Sequence, residues 1–240
     1  MPLREDVITS LQRVALFQGL DAATLDRVIG AANVRTALEG SFFFMQGDPA
    51  TCLYVLVRGR LRLAQITPEG HQVIMGFCGP GEMFGGLAAL GMQVYPVSAE
   101  AVEPSEALCW SGEAMAALML ENARLCYNAL RLVAARVQEL QERLRELTTE
   151  RVERRIARTL LRLANQLGRR VDEGVLIDVP LARQDLAEMT GCTLYTVSRI
   201  LSRWETAGLI RSRREQVIIC KPHALVTIAE DLPSHCENSA

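Results

Sequence analysis

The stretch Leu181–Gly208, LARQDLAEMTGCTLYTVSRILSRWETAG, decides the reading of this chain. Its first half predicts a short helix, Arg183 to Met189, that stops at Thr190-Gly191, where glycine accepts the left-handed backbone of a tight turn. Thr193 then offers a hydroxyl to the orphan amides of a second helix. Along that helix Leu194, Val197, Ile200 and Leu201 recur at i, i+3, i+6 and i+7 and form an apolar stripe. Tyr195, Thr196, Ser198, Arg199, Ser202 and Arg203 are left facing outward. A pair of ordinary core helices shares such a stripe. The glycine turn, the capping threonine and the outward arginines point instead to a helix-turn-helix that enters a DNA groove.

Working outward, Gly208 ends the second helix and Leu209-Ile210 begins an extended run. Arg211-Ser212-Arg213-Arg214-Glu215 reads as a turn, and Gln216–Cys220 is β-branched enough to be the returning strand. This is a winged arrangement with a basic tip, suited to phosphate contact. Charge follows the same segment. The whole chain carries a net −2, yet residues 1–150 hold 12 arginines against 17 acids, whereas residues 151–221 hold 14 basic groups against 8 acids. DNA binding by counterion release needs its basic charge in that place.

Upstream, Glu39 to Trp110 changes character. Phe42-Phe43-Phe44, Leu53–Val57, Leu61-Arg62-Leu63 and Val73-Ile74-Met75 are short apolar runs separated by Gln46-Gly47-Asp48-Pro49, Arg58-Gly59, Thr67–Gly70 and Gly79-Pro80-Gly81. That rhythm predicts an antiparallel β-roll, a jelly-roll-like sandwich. A helical segment over residues 3–32 precedes it, with Asp21 as an N-cap. A long helix follows, whose leading turn contains Ser111 and Glu113. From Asn122 its period is strict: Cys126, Leu130, Val133, Val137, Leu140, Leu144 and Leu147 alternate spacings of four and three between charged flanks, the seam of a parallel homodimer. Arg151–Gly168 predicts another helix and Val175–Pro180 a strand.

The fold class is therefore α+β. The expected division is a sensor domain over residues 1–112, a dimerisation helix over 113–148, a winged helix-turn-helix over 149–222 and a poorly ordered tail over 223–240. No run approaches the roughly 18 apolar residues of a membrane span, and Met1–Arg13 reads as an amphipathic helix rather than a secretory signal. These features predict a cytoplasmic protein without a membrane partner. Seven cysteines lack CxxC spacing and read as reduced thiols. Three histidines, His71, His223 and His235, show no ligand spacing, so no metal site is expected. Neither a Ser–His–Asp arrangement nor a P-loop is present, which excludes the enzyme classes they define.

A β-roll, a dimer helix and a C-terminal winged helix-turn-helix together resemble the Crp/Fnr family of bacterial transcription regulators. The most specific segments are Arg155–Ala164 (RIARTLLRLA), Gln184–Thr193 (QDLAEMTGCT) and Thr196–Leu201 (TVSRIL). Pro80–Leu87, PGEMFGGL, is similar to the family's phosphate-cradling cassette. The resemblance implies a regulator that binds double-stranded DNA as a homodimer at a palindromic site and contacts RNA polymerase, with activation the family habit. It implies that Arg199 reads a base, with Ser198 beside it as in the Fnr branch. Thr193, Thr196 and Arg183 would lie near phosphates, and Arg203 and Arg213 belong to the same DNA-facing set. Tyr195 stands where relatives commonly place a base-contacting glutamate, which puts the usual half-site in doubt.

Sensing is less legible. Cyclic-nucleotide members use a glutamate on the ribose, an arginine-serine pair on the phosphate and a threonine-serine pair on the dimer helix. Here those positions are Gly86, Val97-Ser98 and Leu140-Gln141, which argues against cyclic AMP. No cysteine precedes Cys52, against an iron–sulfur cluster, and Gly85 and Leu87 replace the ligands of carbon-monoxide sensors. What remains is an effector pocket of Met83, Phe84, Gly85, Gly86, Leu87, Val97, Ser98, Leu140, Gln141 and Leu144. Tyr95-Pro96-Val97 is similar to a turn of nitric-oxide-responsive regulators of nitrogen-oxide metabolism, so haem is one candidate. Thiol control through Cys78, Cys109 or Cys126 and effector-free activity stay open. A cyclic-nucleotide-type module acting on a protein partner is the competing class, and it leaves the basic wing unexplained.

Overall fold

The computed structural model describes residues 11, 14–70, 72–86, 91, 93–213 and 215–231. The chain divides into two compact units, Met1–Gln141 and Glu142–Ala240. The division falls inside a long helix.

In the first unit a 3-10 turn, Ala15–Phe17, leads to helix α1, Ala22–Gly30. Asp21 caps α1 as its sequence position predicts, its carboxylate accepting from the Thr24 N–H at 2.7 Å. The helical segment expected over residues 3–32 is broken, because residues 18–21 form a turn and extended backbone between the 3-10 turn and α1, while residues 3–10, 12 and 13 lie outside the described residues. Eight strands follow: β1 (Asn33–Ala37), β2 (Phe42–Phe44), β3 (Cys52–Arg58), β4 (Leu61–Ile66), β5 (Gln72–Cys78), β6 (Met83–Phe84), β7 (Ser98–Ala101) and β8 (Ser105–Ser111). They form two antiparallel four-stranded sheets, ordered β1-β8-β3-β6 and β2-β7-β4-β5. This is the expected roll.

Strand β3 explains how the unit is held. Its residues are buried on both faces, so its sequence is continuously apolar instead of alternating. Leu53 and Val55 point into a cluster with Phe17, Val28, Trp110, Met115 and Leu125, beneath the helices. Tyr54 and Leu56 point the opposite way, into a second cluster between the sheets. Trp110 anchors the first cluster by donating from Nε1 to the Val28 carbonyl at 2.7 Å, which satisfies a polar atom with no access to water.

The helix after the roll is not one element. Ser111 caps its own helix, α2 (Gly112–Glu121), by accepting from the Ala114 N–H at 3.1 Å. Asn122 is extended at φ −129° and ψ 103°, and its side chain accepts from the Leu125 N–H to start α3, Ala123–Thr149. The helix expected over residues 113–148 is thus broken at Asn122, because a side chain that competes for backbone amides favours a cap over a helix interior. One face of α3 is anchored: Leu125 is buried, and Asn128 donates to the Leu16 and Gln18 carbonyls at 2.9 and 2.8 Å.

In the second unit α4 (Val152–Leu167) precedes a hairpin of β9 (Gly168–Val171) and β10 (Gly174–Ile177). Then come α5 (Arg183–Thr190), α6 (Leu194–Thr206), β11 (Ile210–Arg213) and β12 (Gln216–Ile219). The sheet order is β11-β12-β10-β9. The sequence predicts a loose tail from residue 223 on, but α7, Pro222–Glu230, is a helix with Leu225 and Ala229 buried. Pro222 at its first position and the apolar pair explain this correction. Arg154 and Arg158 of α4 pair with Asp231 and Glu230 at its end. Among the described residues no helix is long and apolar enough to cross a membrane.

Candidate nucleic-acid interface

Helix α5 ends at Gly191, which adopts φ 60° and ψ 45° and donates its N–H to the Ala187 carbonyl. That left-handed turn is open to glycine at little cost. Asp185 holds the other end, its carboxylate accepting from the Ala182 N–H at 2.7 Å. Thr193 then caps α6, accepting from the Thr196 N–H at 3.2 Å, and the two threonine hydroxyls meet at 3.0 Å. Val197, Ile200, Leu201 and Trp204 are the buried stripe of α6. Leu194, read as the first residue of that stripe, is 46% exposed because it opens the helix before packing begins.

The outward face is as expected for Tyr195, which is 77% exposed, and for Arg199 and Ser202, while Thr196 and Ser198 are half-buried. Among the described residues the Arg199 guanidinium meets no carboxylate. The flanking arginines differ. Arg203 is paired with Glu153 of α4, whose same oxygen also accepts from the buried Trp204 Nε1 at 3.0 Å. Burial alone would raise the Glu153 carboxyl, but the hydrogen bonds from Arg203 and Trp204 outweigh it and hold the group below its ordinary value. Arg183 is half-buried, 3.7 Å from Glu205 and 3.4 Å from the Ser212 hydroxyl. Glu205 in turn accepts from the Ser212 N–H at 3.1 Å and from its hydroxyl, which fastens the end of α6 to the wing strand β11. Arg211 pairs with Glu173, and Arg213 is exposed at the wing. The expected DNA-facing set therefore splits. Arg199 is uncompensated, whereas Arg203 and Arg183 are held by carboxylates that the sequence reading did not assign.

Within the roll, the described residues of the expected effector set do not all face one way. Met83 and Phe84 are neighbours on strand β6, so alternation sends them to opposite faces. Met83 packs on the cluster beneath the helices. Phe84 is buried among rings, 4.9 Å from Tyr54 and 6.0 Å from Phe44, and Phe44 stacks on Tyr95 at 3.7 Å. Gly85, at φ +64°, lies so close to this cluster that a Cβ would meet Phe44 and Tyr54 at 3.1 Å. The Ser98 hydroxyl accepts from the Gln46 N–H at 2.9 Å. Leu140, Gln141 and Leu144 are exposed on α3, and Leu87 and His71 lie outside the described residues. The interior beside Phe84 and Gly85 is thus filled by the rings of Phe44, Tyr54 and Tyr95.

A roll of two antiparallel sheets followed by a winged helix-turn-helix defines a class of DNA-binding regulators. Residues 34–122 match the cyclic nucleotide-binding domain and residues 154–228 the Crp-like helix-turn-helix domain. The chain is 31% identical over 196 residues to the cyclic AMP receptor protein of Thermus thermophilus, covering 82% of this chain and 88% of that one. It is 27% identical over 209 residues to the transcriptional activator protein anr of Pseudomonas aeruginosa, covering 87% and 84%. The structure of FixK2 from Bradyrhizobium japonicum superposes with a TM-score of 0.72 at 21% identity, covering 82% of this chain and 96% of that one. The chain belongs to the Crp/Fnr family of transcription regulators and is not an enzyme.

Proposed function

We propose that this regulator acts as a homodimer that reads a palindromic DNA site through Arg199 of each protomer. The observation that carries the reading is the exposed, uncompensated Arg199 on a capped helix whose opposite face is buried. An arginine in that setting supplies bidentate contact to guanine O6 and N7. Tyr195, one position into the face, offers a ring to a thymine methyl or a hydroxyl to a phosphate, in place of a carboxylate that would accept from cytosine. Thr193, Thr196, Ser198 and Arg213 flank it as phosphate contacts.

Dimerisation rests on the α3 seam. Leu130, Val133, Val137, Leu140, Leu144 and Leu147 are between 40% and 65% exposed in the single chain, and Cys126 is exposed with them. Apolar side chains repeated at heptad spacing are covered by a second copy of the same helix. A two-fold dimer then presents two recognition helices, which call for an inverted repeat with half-sites one helical turn apart. Activation is the direction suggested by the Pseudomonas relative's name, and contact with RNA polymerase is the route this reading assigns to it. DNA as the partner implies a cytoplasmic place of work.

Control by something other than a cyclic nucleotide is part of the same reading, although the Thermus relative is named for cyclic AMP. Gly86 and Val97 provide neither a carboxylate for a ribose nor a cation for a phosphate. Thiol control through Cys78 has little support, since burial, with Glu82 nearby, pushes that thiol well above its ordinary value and only a thiolate is reactive. The test is a mobility-shift titration of the full chain on duplexes drawn from its own genome, with and without added cyclic AMP. Tight binding to a subset of fragments, unchanged by the nucleotide, supports the reading. Binding that appears only with cyclic AMP overturns its effector half.

A further inference from the structure

On α6, Thr196, Arg199 and Arg203 are spaced i, i+3 and i+7 and so share one face of the helix. Yet Arg203 is tied to Glu153, which comes from a different helix. The Glu153 carboxylate is only half-buried and the Arg203 side chain is 63% exposed, so the pair sits at the surface on the side of α6 that bears the reading arginine. The two roles of Glu153 can be told apart chemically. Trp204 is 2% exposed and its Nε1 needs an acceptor, which either a carboxylate or an amide oxygen can supply. Holding Arg203 electrostatically needs the charge itself.

We infer that Glu153 is an internal counterion that competes with DNA phosphate for Arg203 and so lowers the affinity of this regulator for DNA. A phosphate oxygen and a carboxylate oxygen are alternative acceptors for the same guanidinium. While Arg203 is neutralised within the protein, it releases no counterion from DNA. A free carboxylate beside the duplex backbone is repelled by it. Either way, the negative charge on Glu153 opposes binding without touching a base. The effect therefore applies to all sequences alike, which distinguishes it from the role of Arg199. The inference rests on the DNA-binding reading above.

The experiment compares full-length wild type, Glu153→Gln, Arg203→Gln and the double variant on one 40-base-pair duplex selected by the wild type and on one scrambled duplex, across a salt series. Removing the charge while keeping the Trp204 acceptor is expected to tighten binding to both duplexes about three- to tenfold at low salt and to steepen the log K against log salt slope by about 0.9. In the Arg203→Gln background the same change should tighten binding by less, because only the repulsion between the carboxylate and the duplex backbone is then relieved, and should leave the salt slope unsteepened. Melting curves identify any variant that fails to fold, and Glu153→Asp, which keeps the charge, then serves as the second comparison and should leave the salt slope as in wild type. If Glu153→Gln folds yet binds no tighter, with an unchanged slope, Glu153 only packs against Trp204 and the inference fails while the DNA-binding reading stands. If the wild type discriminates neither duplex from buffer, both fall.

Discussion

Arg162 Nη1 donates to both carboxylate oxygens of Glu146, at 2.9 and 3.0 Å, although Glu146 is almost fully buried. The pair joins the last turns of α3 to the middle of α4. Glu150, also buried, accepts from Arg158 Nε at 3.2 Å and lies 3.7 Å from the Arg154 guanidinium. A run of arginines from α4 thus neutralises the carboxylates in the last turn of α3 and just beyond its end. Removing one partner strands a buried charge, which costs far more than the pair contributes as a pair. Arg162→Ala is expected to destabilise the second unit by about 2 kcal/mol, discounted because the arginine itself is partly solvated. Urea unfolding followed by circular dichroism measures this, and combining the change with Glu146→Ala should recover part of the loss.

Tyr95 offers a second check on stability. Its hydroxyl accepts from the Cys52 N–H at 2.9 Å and donates to the Cys52 carbonyl at 2.7 Å, which completes the start of β3. Tyr95→Phe keeps the ring stacked on Phe44 but orphans both backbone groups. A loss of about 1–2 kcal/mol is expected. Thermal unfolding of the two proteins gives the number.

The dimer seam predicts a change of mass. Leu140→Asp places a charge at the centre of the heptad stripe, where no partner is provided. Sedimentation should show a monomer where the wild type shows a dimer. Binding to a two-half-site duplex should fall by at least a hundredfold, because the second recognition helix is no longer tethered.

Cysteine reactivity separates the thiols. Burial and the neighbouring Glu82 keep Cys78 protonated, so its alkylation at pH 8 should wait for unfolding. Cys126 is exposed on α3 and belongs to the seam. It should react quickly in the Leu140→Asp monomer and slowly in the wild-type dimer. Mass spectrometry of alkylated peptides reads both at once.

Much of this was legible in the sequence, for reasons that differ by element. Gly191, Thr193 and the Val197–Ile200–Leu201 stripe act through local geometry, so their spacing alone located the helix-turn-helix. The wing and the roll were visible through turn residues at regular intervals. Asn122 was read through as part of one helix, although its short polar side chain is suited to starting a new one. Helix α7 was hidden because a nine-residue segment carries little periodic signal. The carboxylates that hold Arg203 and Arg183 could not be found, since Glu153 and Glu205 meet their partners only after α4, α6 and the wing have packed. Nor could the ring cluster of Phe44, Tyr54, Phe84 and Tyr95, which comes from four separate strands and turns. Glu153 did carry one faint signal, as an acid in the first turn of an otherwise basic helix.

The central claim is that Arg199 reads DNA in a two-fold arrangement, and selection from a random duplex library by the full-length protein tests it most directly. The account predicts enrichment of an inverted repeat with half-site centres about 10 base pairs apart, each half containing a guanine whose preference vanishes in Arg199→Ala while the dimer remains folded. Enrichment of a single asymmetric site, or an unchanged preference in Arg199→Ala, would contradict it.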